Sequence, residues 1–244
     1  MRFLTDRMSP VADSLNKIAR TLTRVPLFSG LTESELKFLT ERVVTRRCST
    51  GELVFGEGET CKGLYVVESG HVRIFKTSSE GREQVLSIDG PGSSIAELPV
   101  FDGGVYPASA MAIEDTVLLL VGKQDFQALC LAHPEVGLKV LRVVGERLRR
   151  LVGIIEELSF TTVRHRITSY LFRLAQRSGK RTSEGTVVSI PVNNQELAAQ
   201  IGTVRELVSR NLSRLQAEGL LKLDGRDVIL YNLEALEEDR GSQE

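Results

Sequence analysis

Between Asn193 and Tyr231 the chain carries a pattern that few folds accommodate: a capped helix, one glycine, a second helix and a β-hairpin. Asn193, with Glu196 three residues on, has the spacing of a capping box. The helix Gln195 to Ile201 then ends at Gly202, which tolerates the left-handed backbone of a tight turn. A second helix is predicted from Arg205 to Glu218. Leu197, Ile201, Val208, Leu212 and Leu215 fall where two such helices share a core. Two short apolar runs follow, Gly219 to Leu223 and Val228 to Leu230, joined through Asp224-Gly225-Arg226. An Asp-Gly turn between such runs predicts a hairpin. Helix, glycine turn, helix is the helix-turn-helix pattern, and the hairpin adds a wing.

Arg205, Glu206, Ser209 and Arg210 lie at spacings that put them on one outward face near the start of the second helix. That end enters the major groove of DNA in this motif. Arginine offers two parallel donors to guanine O6 and N7, and glutamate accepts from cytosine N4. Asn211, Ser213 and Arg214 stand next in line, either to contact phosphate or to stay solvated. Charge supports the same partner. The formal net charge is only −1, but residues 161–226 hold 11 Lys/Arg against 5 Asp/Glu. Residues 227–244 hold 1 against 6, and residues 1–160 hold 19 against 21. A basic segment draws affinity from counterion release on double-stranded DNA.

The first half has another texture. From about Val43 to Val121, glycines recur at 51, 56, 58, 63, 70, 81, 90 and 92, with short apolar runs between them. Leu64-Tyr65-Val66-Val67, Val72-Arg73-Ile74-Phe75 and Val85-Leu86-Ser87-Ile88 read as strands of an antiparallel barrel or sandwich. Ser69-Gly70 reads as a tight hairpin turn between two of them. Upstream, Thr32 and Glu35 mark a capped helix start, and residues 1–23 read as a lead with a short helix.

From about Pro134 to Leu158 a single long helix is predicted. Leu141, Val144, Leu148, Leu151, Ile155 and Leu158 repeat at alternating steps of three and four, a seam that suits a second copy of the same helix. Val136, Val140 and Val143 form a second stripe, suited to the protein's own barrel. A further helix runs through Arg166 to Gln176, followed by a polar connection (178–185) and a strand at Val187 to Ile190.

Several classes find no support. No apolar run approaches the ~20 residues of a membrane span. Met1 to Thr23 lacks a continuous apolar stretch, so a cytoplasmic protein is expected. Cys48, Cys61 and Cys130 form no Cys-x-x-Cys pair, and His71, His133 and His165 lack metal-ligand spacing, so no metal site is expected. No nucleophile elbow, phosphate loop or zinc-protease motif is present, so no enzyme is expected.

These residues together resemble the cyclic-AMP receptor and fumarate-nitrate regulator (CRP/FNR) superfamily of bacterial transcription regulators, over about residues 25–236. The resemblance is carried by Gly63-Leu64-Tyr65-Val66-Val67, by Ser69-Gly70-His71-Val72-Arg73-Ile74, and by Arg205-Glu206-x-x-Ser209-Arg210. It implies an α+β chain with a cyclic-nucleotide-binding-like barrel (jelly roll), a long dimerisation helix and a winged helix-turn-helix. The divisions expected are a lead at 1–25, the sensor barrel at 26–131, the dimer helix at 132–158, the DNA-binding domain at 159–236 and an acidic tail at 237–244. It also implies a homodimer, RNA polymerase as a partner, and a palindrome with half-sites similar to TGTGA or TTGA, about one helical turn apart.

The resemblance weakens in the sensor. Members that bind cyclic AMP carry Gly-Glu-Leu, whose Glu takes the ribose, then Arg-Ser, whose Arg pairs with the phosphate. Here Ala96 replaces the Gly, Glu97 and Leu98 are kept, and the Arg-Ser positions fall on Pro107-Ala108. Without that Arg a phosphate loses its charge-assisted partner, and proline offers no N–H. Leu151 and Val152, where the dimer helix would face adenine, offer no hydrogen bond. Cyclic AMP is therefore not the expected effector. The N-terminal cysteine cluster of the iron-sulfur branch is absent. Haem on one of the three histidines, a redox thiol, another small ligand and no ligand all stay open.

Overall fold

A computed structural model describes residues 10–233 together with Leu236. The beginning of the lead and the acidic tail at 237–244 lie outside the described residues. The chain forms two compact units, with the division in its longest helix between Arg149 and Arg150 (residues 77–86 group with the second).

The first unit begins with helix α1 (Pro10–Arg24). A short 3-10 turn at Pro26–Phe28 leads to α2 (Glu33–Thr40). The capping box forms as predicted: Glu35 N donates to the Thr32 hydroxyl, and Thr32 N donates to Glu35 Oε2 at 2.7 Å. Eight strands follow: β1 (Val44–Cys48), β2 (Leu53–Phe55), β3 (Gly63–Ser69), β4 (Val72–Thr77), β5 (Glu83–Asp89), β6 (Ser94–Ile95), β7 (Ser109–Ala112) and β8 (Thr116–Gly122). They make two four-stranded sheets, ordered β1-β8-β3-β6 and β2-β7-β4-β5. Pairing is antiparallel, with Val44 opposite Leu120 and Tyr65 opposite both Leu120 and Ile95. Strand β3 is apolar on both faces, and Leu64, Tyr65, Val66 and Val67 are all buried. That continuous run suits a central strand rather than an edge.

The Ser69-Gly70 turn departs from the hairpin reading, because β3 and β4 lie in different sheets. Gly70 has φ +80°, and a Cβ there would sit 2.4 Å from the Thr116 hydroxyl. Both the left-handed backbone and this close approach require glycine. A short helix α3 (Leu98–Asp102) follows Glu97, and α4 (Lys123–Ala132) follows the last strand. Phe126 of α4 meets Phe28 and Phe101 edge to face, at 5.9 and 5.8 Å between ring centroids.

Helix α5 (Pro134–Phe160) is one unbroken helix of 27 residues. Its inner stripe is Val136, Val140 and Val144, packed on the barrel core. Val144 was expected on the outer seam, and Val143 on the inner stripe. Val144 lies four residues after Val140 and shares its row, so it turns inward. Leu141, Leu148, Leu151, Ile155 and Leu158 stay exposed, as does Leu138.

In the second unit α6 (Val163–Ser178) follows a two-residue break and is capped by the Thr162 hydroxyl. A four-stranded antiparallel sheet is ordered β11-β12-β10-β9, from β9 (Lys180–Arg181), β10 (Thr186–Ser189), β11 (Leu221–Asp224) and β12 (Asp227–Leu230). Lys180 and Arg181, read as part of a polar connection, pair with Val187 and Thr186. Between β10 and β11 stand α7 (Asn194–Ile201) and α8 (Arg205–Ala217). Leu197, Ile201, Val208, Leu212 and Leu215 are buried in one core with Ile167 and Leu171 of α6.

Candidate nucleic-acid interface

Helix α8 starts with its outer face free of the core. Arg205, Glu206, Ser209 and Arg210 are exposed, while Val208 and Leu212 between and beyond them are buried. The 3.6-residue period therefore separates a core row from an outward row. The preceding turn is set locally. The Asn193 side chain accepts from Gln195 N and Glu196 N, both at 2.9 Å, and Asn193 N donates to Glu196 Oε2 at 3.1 Å. Gly202 ends α7 at φ +68°. Opposite the start of α8, the β11–β12 turn brings up Arg226. A groove of about 540 Å³ runs between them, lined by Asn193, Asn194, Gln195, Arg205, Gly225 and Arg226, among others. Two arginines and the polar side chains of Asn193, Asn194 and Gln195 line one concave surface, which suits a polyanion.

Farther along α8 the predicted residues differ. Asn211 Nδ2 donates to Leu207 O at 2.8 Å, so that donor is already engaged. Ser213 is exposed. Arg214 Nε donates to Glu218 Oε1 at 2.9 Å. Glu218 also accepts from Arg164 of α6 at 2.6 Å. Hydrogen bonds from these two guanidinium groups hold the Glu218 carboxyl down at about 2.

In the barrel, Glu97 is completely buried and ion-pairs with Arg147 of α5, whose second nitrogen donates to Ser94 O. Glu97 Oε1 has no hydrogen-bond partner. Ala96 beside it has φ +66°, a left-handed backbone that costs a non-glycine residue about 1–2 kcal/mol. Pro107 is exposed, and its carbonyl accepts from Lys76 Nζ at 3.2 Å. Lys76 is held in turn by Glu57. Ala108 is buried. Tyr106 is buried too, stacked on Phe55 at 4.0 Å between centroids, and Phe55 stacks on Tyr65. The Tyr106 hydroxyl accepts from Lys62 N at 3.0 Å, and burial raises its pKa. Leu98, Leu151 and Val152 are 46%, 37% and 46% exposed. Burial raises the thiols of Cys48 and Cys130, the latter to about 11, which leaves them poorly nucleophilic.

Comparison with known proteins bears on both units. Residues 45–133 match the cyclic nucleotide-binding domain, and residues 165–239 match the Crp-like helix-turn-helix domain. The cyclic AMP receptor protein of Thermus thermophilus is 34% identical over 213 residues, covering 87% of this chain and 95% of that protein. The CRP-like cAMP-activated global transcriptional regulator of Mycobacterium tuberculosis is 32% identical, covering 88% of this chain and 96% of that protein. This chain belongs to the CRP/FNR superfamily of transcription regulators.

Among solved structures, the c-di-GMP responsive global regulator CLP of Xanthomonas campestris superposes on this CRP/FNR chain with a TM-score of 0.71. Identity is 27%, over 82% of this chain and 100% of that one. A CooA mutant from Carboxydothermus hydrogenoformans gives 0.67 at 26% identity, over 82% and 88%. Two features of this CRP/FNR chain were not singled out by sequence reasoning. Arg147 has no local signal, since its partner lies 50 residues away. Arg166 did leave one: a cation on the apolar row of Val163, Ile167 and Tyr170. No helix among the described residues is long and apolar enough to cross a membrane.

Proposed function

We propose that this regulator is a homodimer that reads a palindromic promoter site, and that its barrel answers to an effector other than cyclic AMP. The outward row Arg205, Glu206, Ser209 and Arg210, whose first member lines one groove with Arg226, carries the DNA reading. In this reading Arg205 and Arg210 take guanines, Glu206 takes a cytosine amine, and Ser209 takes either base. Asn211, Ser213 and Arg214 flank the base contacts and hold phosphate, Asn211 through what Leu207 leaves free. The exposed seam of α5, from Leu141 through Leu148, Leu151, Ile155 and Leu158, is the dimer contact. Such a dimer acts by binding, in the cytoplasm where its DNA and RNA polymerase are, and not by catalysis.

The pocket argues against cyclic AMP. A ribose needs the Glu97 carboxylate, and Arg147 already holds one of its oxygens. A cyclic phosphate needs a free cation at the Pro107-Ala108 corner, where the Lys76 ammonium reaches Pro107 O but is paired with Glu57. The aromatic stack of Tyr106 on Phe55 fills the wall beside it. These residues do not fit the nucleotide, so no step of the mechanism runs through it. A cyclic-AMP-responsive regulator is the second reading, favoured by the retained Glu97 and by what the two relatives bind. Haem on His133 would require that ring to leave Glu35, whereas His71 meets Glu114 through Nδ1 alone.

Selection from a random duplex pool, with sedimentation of the bound species, tests the DNA reading. Enrichment of an inverted repeat by a dimer is expected; enrichment of nothing, or binding by a monomer, would end it. Calorimetry with cyclic AMP and an absorption spectrum of the purified protein test the effector. Micromolar binding would install the second reading, and a Soret band would install haem.

A further inference from the structure

Arg166 is 8% exposed, yet its hydrogen-bond partners are three main-chain carbonyls and no carboxylate. Nη1 donates to Glu157 O and Thr161 O, both at 3.1 Å, and Nη2 donates to Gly202 O at 3.4 Å. Nε is buried without a partner. Burial lowers the pKa of the guanidinium, and the attraction of Glu157 only partly offsets this. An aliphatic side chain would continue the row of Val163, Ile167 and Tyr170 without that desolvation cost. What the guanidinium adds is geometry. Its planar fork presents donors in fixed directions, so one side chain can hold several acceptors at set positions.

The three acceptors belong to three different segments. Glu157 is in the last turn of α5, and its carbonyl also accepts from Thr161 N at 3.2 Å and from the Thr161 hydroxyl at 2.6 Å. Thr161 is in the two-residue break between α5 and α6. Gly202 is the turn from which α8 sets out. Two residues upstream, Arg164 holds Glu218 at the far end of α8. The first turn of α6 thus holds the turn before α8, the far end of α8 and the end of α5.

We infer that Arg166 is a positioning residue that ties the end of α5 to the turn before α8, so that a change in α5 reaches the DNA-reading face. The inference rests on the DNA reading of α8 given above. Arg166 itself touches no base. It acts by holding the Gly202 turn, and with it the direction of Arg205 to Arg210, against the last turn of α5.

The test uses full-length wild type, Arg166→Met, Arg166→Lys, and Arg177→Met as a control for a lost charge on an exposed part of α6. Each is titrated with the duplex that wild type enriches from a random pool, and with the same duplex after its half-sites are scrambled. For Arg166→Met the ratio of the two affinities falls about tenfold, while binding to the scrambled duplex stays within about twofold. Arg166→Lys, which keeps the charge but not the fork, loses most of the same ratio. Hydrogen exchange rises together at 157–162 and 202–206 and not elsewhere in the second unit. Equal loss on both duplexes, full recovery by lysine, or exchange that rises throughout the second unit would overturn the inference. If the methionine variant does not fold, the lysine variant decides it. If wild type enriches no sequence, the DNA reading has failed, and the exchange pattern still decides whether Arg166 joins the two segments.

Discussion

Arg147, on the long helix, ion-pairs with Glu97, a carboxylate with no exposed surface at the edge of the barrel. The pair fastens α5 to Glu97 just before α3, and the second Arg147 nitrogen adds a bond to Ser94 O of β6. Removing one partner of such a pair strands the other charge. Arg147→Met is expected to lower the stability of the first unit by about 3 kcal/mol. Adding Glu97→Gln should recover most of it, since a neutral amide is cheaper to bury than an unpaired carboxylate. Urea midpoints of the four proteins in this cycle check it. A loss below about 1 kcal/mol in the single variant would show the pair to be structurally idle.

Acid should loosen the grip on α8. The Glu218 carboxyl is held at about 2 by hydrogen bonds from Arg164 and Arg214, against 4.5 for the ordinary group. A lowered carboxyl pKa contributes stability that is fully present above about 4.5 and is lost as pH falls through about 2. Stability of wild type relative to Glu218→Gln should therefore be constant near neutrality and shrink across that window. Glu35 and Glu52 are lowered as well, but they are common to both proteins and cancel. A difference that stays flat down to pH 2 would mean that the carboxylate gains nothing from the two arginines.

Two arginines on the DNA face should fail in different ways. Arg210→Ala is expected to cost about 1–3 kcal/mol on the selected site and to relax the sequence preference at one guanine. Arg226→Ala, on the wing turn, should weaken all duplexes alike and reduce the salt slope by about 1. Titrations at several salt concentrations separate the two. The opposite assignment would place Arg210 on phosphate and Arg226 on a base.

The start of α7 depends on one side chain. Asn193→Ala leaves Gln195 N and Glu196 N without their acceptor. The second unit should lose about 1 kcal/mol, with Asn193→Asp close to wild type. Thermal unfolding measures both. If alanine were tolerated, water would be serving those amides.

The helix-turn-helix was legible because its signals are local. The Asn193 cap, the Gly202 turn and the row Leu197, Ile201, Val208, Leu212 and Leu215 each depend on neighbours a few positions away, and each formed as read. The strands were legible for the same reason, through apolar runs bounded by glycine. Their partners were not. Ser69-Gly70 looks like a hairpin turn because adjacency in the chain suggests pairing, yet the two sheets pair β3 with β8 and β4 with β7.

The amino-acid order thus settles which segments become helix, strand or turn, and which face of α8 points outward. Tertiary structure settles what meets across distance. Val144 turned inward because the barrel core lies beside that row of α5. Glu97 found Arg147 and Gly202 found Arg166 across 50 and 36 positions, where no short-range period links the partners. Helix caps and apolar periods arise from backbone geometry that repeats every few residues. An ion pair or a shared carbonyl exists only after the fold has brought distant segments within a few ångströms and taken them out of water.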